Sequence, residues 1–284
     1  MLCAVGDLVE DVVVLLDGPP ARATDTTARI SRHRGGSAAN VAVAAAAASI
    51  EKRARFVGHV GADDLGDRLL AELAAAGVDL AVTRGGHTGS IVVLVDPDGE
   101  RTMLTDRGAS PDLALVDAAW IEGVTVVHVP AYSLAVQPLA GSARRIASLA
   151  HRQGVPVSID ASSTAVLEEM GVDLFRALVD EIEPEVLFAN ADEAALVGLS
   201  ADASPESVDL TVVKRGSAPT LLRSAAGDVL EVAVEPVDGV VDTTGAGDAY
   251  AAGFLVASLE GASVEEAARA GHRLAAATLA RAGA

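Results

Sequence analysis

Cysteine is almost absent from this 284-residue chain: Cys3 stands alone, so no intrachain disulfide and no zinc site built on cysteines can exist. A reducing, cytoplasmic setting is the expectation. Aromatic residues make up only 2% of the chain, which removes the stacking platforms that bases favour and leaves Ala, Val and Leu to fill the core. Positive charge is scarce too. With a net charge of −19 and no cluster of Lys or Arg, a nucleic-acid or anionic-membrane surface is excluded, and small molecules are the expected partners. The longest bland run, Val41 to Ile50, is too short to span a bilayer, and the start M-L-C-A-V-G-D has neither a charged lead nor a long apolar core. No G-x-x-x-x-G-K-S/T loop occurs, which excludes P-loop chemistry.

Half of the residues are hydrophobic, enough for one sizeable core, and a single domain over residues 1–284 is expected. From about residue 120, short β-branched runs alternate with helical stretches. Residues 124–129, 155–160, 186–190 and 210–214 read as strands, and 137–153 as a helix closed by Gly154. Residues 54–61 form another such strand, while Leu65, Leu69 and Leu73 recur once per turn of a helix that Gly77 ends. Continuously apolar runs suit strands buried on both faces, so the core reads as a doubly wound, mostly parallel α/β layer structure. Two stretches, about residues 12–33 and 89–106, break the alternation. With D-P-D-G-E at Asp96–Glu100 as a hairpin turn, they are expected to pair as antiparallel strands, forming either a water-excluding lid or an ordinary edge hairpin.

The chemistry concentrates in two glycine-rich starts. Near the end stands V-D-T-T-G-A-G-D-A-Y-A-A, in which Gly245, Ala246 and Gly247 open a helix and Asp248 sits in its first turn. Free N–H groups and the positive end of the macrodipole hold anions there, yet a carboxylate in the same turn opposes an anion. The pairing makes sense if Asp248 takes a proton from an attacking hydroxyl while the N–H groups absorb charge on a transferred phosphoryl group. A helix-capping acid is the plain alternative. The spacing fails the dinucleotide fingerprint, because Tyr250 stands where the third small residue belongs. Earlier, R-G-G-S-A-A-N at Arg34–Asn40 opens an Ala-rich helix. Its paired glycines allow close approach and Asn40 offers both donor and acceptor to hydroxyls; a tight turn with Ser37 as N-cap reads equally well.

Both motifs, together with N-A-D-E at Asn190–Glu193, resemble the signature regions of the ribokinase-like carbohydrate kinases, the PfkB family, across Ala4 to Ala284. The resemblance implies a three-layer ribokinase-like α/β core with a small β lid, and ATP-dependent phosphorylation of a sugar-like alcohol. By it, Asp248 is the base and the N–H groups of Gly245, Ala246 and Gly247 the anion hole. Asp11, Gly35, Gly36 and Asn40 would hold the acceptor hydroxyls. Asn190 and Glu193 would order Mg2+ through water, Lys214, Gly216 and His272 would border the nucleotide, and Asp242 and Thr244 match part of a monovalent-cation site. The chain stops at Gly283–Ala284 before a full cation loop would close, so the resemblance leaves potassium activation unsupported. Val9 and Pro130 replace polar positions of ribokinase proper, and Arg101 and Arg107 are candidates to meet an acidic or phosphorylated substrate or to brace the lid. A nucleoside kinase and a non-catalytic sugar- or nucleotide-binding protein remain the alternatives, and a homodimer through the lid strands is expected.

Overall fold

The computed structural model describes residues 1–49, 54–237, 239–240 and 242–280. In chain order its strands are β1 (Leu2–Val5), β2 (Val9–Leu16), β3 (Ala28–Gly35), β4 (Ala54–Val60), β5 (Val78–Arg84), β6 (Thr88–Val95), β7 (Arg101–Gly108), β8 (Val126–Pro130), β9 (Val157–Asp160), β10 (Val186–Asn190), β11 (Leu210–Arg215), β12 (Ala218–Ser224) and β13 (Val229–Val232). The helices are α1 (Ser37–Ala48), α2 (Asp64–Ala75), α3 (Tyr132–Ala135), α4 (Leu139–Arg152), α5 (Thr164–Met170), α6 (Val172–Ile182), α7 (Ala191–Val197), α8 (Ala246–Leu259) and α9 (Val264–Leu279).

The main sheet runs β13-β12-β11-β10-β9-β8-β1-β4-β5. It is parallel from β11 to β5, and the short β12 and β13 add antiparallel pairing at one edge. Alternate strand residues feed opposite faces, as the pleat requires. Cys3, Val5, Val127, Ile159 and Leu187 pack with α4, α6 and α7, whereas Leu2, Ala4, Phe56, Phe188 and Val212 pack with α1, α2, α8 and α9. Three layers result, as the apolar strand runs implied. Helix α8 has residues Ala249 to Val256 all buried, with the rings of Tyr250 and Phe254 set among alanines and Gly253. It lies against α1 and α9 with little room to spare: a Cβ at Gly253 would press on the Ala270 carbonyl, and one at Gly271 on the Tyr250 ring. Small side chains let these helices approach closely, and dense packing replaces bulk.

The second sheet, ordered β3-β2-β6-β7, is the lid. Its outer pairs, β2 with β3 and β6 with β7, are antiparallel as expected, but the central pair, β2 with β6, is parallel. The cause lies in the core. β2 continues β1 after only Gly6–Leu8 and β6 follows β5 closely, and since β1 and β5 point the same way, both extensions leave the core in the same direction. By the pleat, Asp11, Val13, Val93 and Arg101 share one lid face, while Val12, Val14, Ile30, Val92, Leu94 and Leu104 share the other. Among the described residues, no helix is long and apolar enough to cross a membrane.

Candidate active site

The carboxyl ends of the parallel strands converge with two helix N-termini, the usual place for a ligand crevice in an open α/β sheet. Asp160 ends β9, Asn190 ends β10 and Lys214 lies one residue from the end of β11. With Glu193, Gly247 and Asp248 they line a cavity of about 180 Å3.

Asp248 sits in the first turn of α8 and its two oxygens are separately engaged. The Ser37 hydroxyl donates to Oδ1 at 2.7 Å and the Asn40 amide to Oδ2 at 3.1 Å. Burial raises its pKa to about 6, and these two donors hold it back from rising further. So the expected neighbours, Asp248 and Asn40, do meet. The reading of Ser37 as an N-cap is corrected: Gly36 occupies that position, with φ of 98°, and the Ser37 side chain turns instead to Asp248. Gly36 is required sterically, because a Cβ there would collide with the Asp7 carbonyl.

Gly245 is the N-cap of α8, in the left-handed region at φ 73°. The N–H groups of Gly245 and Gly247 have no acceptor among the described residues, whereas that of Ala246 reaches the Thr243 carbonyl at 3.3 Å. Over this turn stands Lys214, so close that a Cβ on Gly247 would come within 3.3 Å of its Nζ. Lys214 donates to Asp160 Oδ2 at 2.6 Å. Desolvation works against its charge, but Asp160, Glu193 and Asp248 outweigh it and raise the pKa. Amides and an ammonium therefore face one small space, a cradle for an anion.

Asn190 and Glu193 form a capping box on α7: Asn190 accepts from the Asp192 and Glu193 N–H groups, and Glu193 accepts from the Asn190 backbone and amide. Glu193 is buried, and desolvation followed by the charge of Asp160 lifts its pKa to about 7. Among the described residues, no group of three or more His, Cys, Asp or Glu could hold a metal ion by itself. Gly216 lines the same cavity, at φ 61° with open space where a Cβ would stand.

On the lid side, Asp11 packs its carboxylate against Gly35, where any side chain would collide with it. It makes no hydrogen bond or ion pair among the described residues, and desolvation raises its pKa to about 6. A half-buried carboxylate of this kind is an acceptor in waiting for hydroxyl donors. The two lid arginines are already engaged. Arg107 pairs with the buried Asp7, donates to the Tyr132 carbonyl and lies over the Tyr132 ring, and Arg101 binds Asp242 and Thr244. His272 is tied to Thr220 at 2.8 Å and packs on Tyr250 rather than lining the cavity. Sequence reading missed Asp160, although an acid ending the apolar run V-P-V-S-I-D was a visible signal. It also missed Arg34, whose Nη2 donates to Asn40 Oδ1 at 3.1 Å and so fixes which end of the Asn40 amide faces Asp248.

Residues 1–284 match the profile described as pfkB family carbohydrate kinase. Among characterised relatives, the ATP-dependent ribose-1-phosphate kinase of Halopiger xanaduensis is 33% identical over 273 residues, covering 93% of this chain and 86% of that protein. The ribokinase of Bacillus subtilis is 29% identical, covering 96% of this chain and 91% of its own length. Among solved structures, Arabidopsis thaliana ribokinase complexed with ribose and ATP superposes with a TM-score of 0.82 at 25% identity, covering 100% of this chain and 93% of that one. Adenosine kinase from Sinorhizobium meliloti superposes at 0.87 with 24% identity, covering 99% and 94%, a likeness of fold.

Proposed function

The chain belongs to the pfkB family of carbohydrate kinases and is a phosphotransferase with an alcohol acceptor; from that premise we propose how its residues share the work. The whole chain acts as one kinase domain whose lid covers the acceptor. Asp11, on the lid, and Asn40, on the core, grip hydroxyls of a sugar or sugar phosphate. Asp248 takes the proton of the attacking hydroxyl. The N–H groups of Gly245 and Gly247 receive the charge of the transferred phosphoryl group, and the Ala246 N–H joins them once it leaves the Thr243 carbonyl.

ATP is the donor, as in the name of the Halopiger xanaduensis kinase and the ATP complex of the Arabidopsis thaliana ribokinase, which favours a cytoplasmic enzyme. Its phosphates would lie where Lys214 stands over the glycine turn, which the closeness of Lys214 Nζ to Gly247 supports. Glu193 and Asn190, side by side on the cavity wall, would reach a hydrated Mg2+ through its waters. When bound, Mg2+ neutralises phosphate charge. The outer face of the lid, with Ile30 64% exposed and Leu104 56% exposed, supports a homodimer joined there.

A single observation carries the mechanism: the Asp248 carboxylate, held by Ser37 and Asn40, opens on the cavity that Lys214 and Gly247 also line. Asp248→Asn is expected to lower phosphoryl transfer roughly 10² to 10⁴-fold. A coupled ATP-consumption assay over pentoses, hexoses, sugar acids, nucleosides and ribose 1-phosphate identifies the acceptor, and a full rate in the Asp248→Asn variant would end the case for this base.

A further inference from the structure

Arg101 begins β7 at the rim of the lid, far in sequence from the glycine turn, yet its guanidinium is planted on it. Nη2 donates to Asp242 Oδ1 at 2.6 Å and Nη1 to Thr244 Oγ1 at 2.7 Å. The same Asp242 oxygen also accepts from the Thr244 N–H and hydroxyl, each at 2.8 Å. These are the two side chains that the family likeness would offer to a monovalent cation, and they do not fit one. Oδ1 already takes three donors, more than its lone pairs serve well, and the Thr244 hydroxyl is committed to Asp242 while accepting from Arg101. A guanidinium on both oxygens would also repel any cation placed beside them. Thr244 directly precedes Gly245, the cap of α8, so whatever holds Asp242 and Thr244 sets the pose of the amides that follow.

We propose that Arg101 is a positioning residue that serves from the lid as a built-in cation, ordering the Asp242–Gly245 turn so that turnover depends on lid docking and not on a dissolved monovalent cation. The inference rests on the reading of Gly245 and Gly247 as the phosphoryl cradle. A planar fork that bonds two oxygens at once does what a point charge cannot: it fixes direction as well as charge. It also makes the cradle sensitive to the lid, because β7 is paired to β6 along its length and carries Arg101 with it.

The test measures phosphoryl transfer with magnesium constant, in choline, sodium and potassium chloride at equal ionic strength, for the wild type, Arg101→Gln and Arg101→Lys. The wild type is expected to show the same kcat in all three salts. Arg101→Gln is expected to lose roughly 10²-fold in kcat with a smaller change in acceptor KM, the size of loss that a displaced positioning group causes. Free guanidinium or potassium should restore part of that loss, and Arg101→Lys should retain more activity than the glutamine variant. Saturable potassium activation of the wild type overturns the proposal. So does full kcat of Arg101→Gln in choline, or a loss that neither guanidinium nor potassium repairs. The wild-type salt series decides even if a variant fails to fold. Asp248→Asn assayed alongside keeps the readings apart: its retained turnover would remove the base, whereas the salt response bears on Arg101 alone.

Discussion

Asp248 keeps its proton to a higher pH than a solvated aspartate does, because burial raises its pKa to about 6 against two donors that favour the charge. As the proposed base it must be ionised, so kcat/KM is expected to climb about tenfold per pH unit below pH 6 and level off above it. Stability runs the other way. Between an unfolded value near 4 and the folded value near 6, the native state binds more protons than the unfolded chain, so this carboxyl's contribution to stability is lost as pH rises through that window. Asn at this position removes the penalty. Thermal scans should find Asp248→Asn more stable than the wild type by about 1 to 3 kcal/mol at pH 8 and indistinguishable from it near pH 4. A different balance holds at Lys214, where the partner Asp160 is only 5% exposed. Lys214→Met leaves that charge buried and alone, and should cost about 3 to 5 kcal/mol in denaturant titrations, with Asp160→Asn added to it recovering most of the stability and none of the activity.

At the scale of elements, β7 is pinned to the core at both ends, by Arg101 on the turn before α8 and by Arg107 on Asp7. Asp7 is 8% exposed, so Arg107→Met strands a buried carboxylate. Amide exchange in β6 and β7 should then quicken while α4 keeps its protection, a local opening that mass spectrometry can resolve. The strands were largely legible in sequence: 186–190 matches β10 and 210–214 falls within β11, because both-face burial writes an uninterrupted apolar run. The parallel pairing of β2 with β6 was not legible. Two segments separated by β3, α1, β4, α2 and β5 carry no local mark of their mutual direction, which is set by the core strands they extend. The Ser37 hydroxyl departs from its expected place for a related reason: a serine after two glycines caps a helix only if both glycines lie outside it, and here the φ of Gly36 makes that glycine the cap, one residue early. The motifs around Asp248 and Asn40 were visible because glycines and acids at helix starts stand out, while the partners that Asp160 and Arg34 take, Lys214 and Asn40, are set by the folded chain.

For the molecule as a whole, the aliphatic outer face of the lid sets an expectation about assembly. Ile30→Asp or Leu104→Asp should shift sedimentation from dimer to monomer, and a monomeric wild type would remove the proposed interface. Composition anticipated the architecture well, since a chain rich in alanine and poor in rings can build a core only by bringing helices very near one another, and α1, α8 and α9 do so. The lid itself has a further meaning. Asp11 hangs from β2, part of the lid sheet, while Asp248 belongs to a core helix, so the two groups proposed to touch an acceptor are carried by separate elements. On the proposed roles, water at Asp248 leaves Asp11 without its hydroxyl partner. ATP should therefore sit in this enzyme largely intact until an alcohol long enough to hold both arrives.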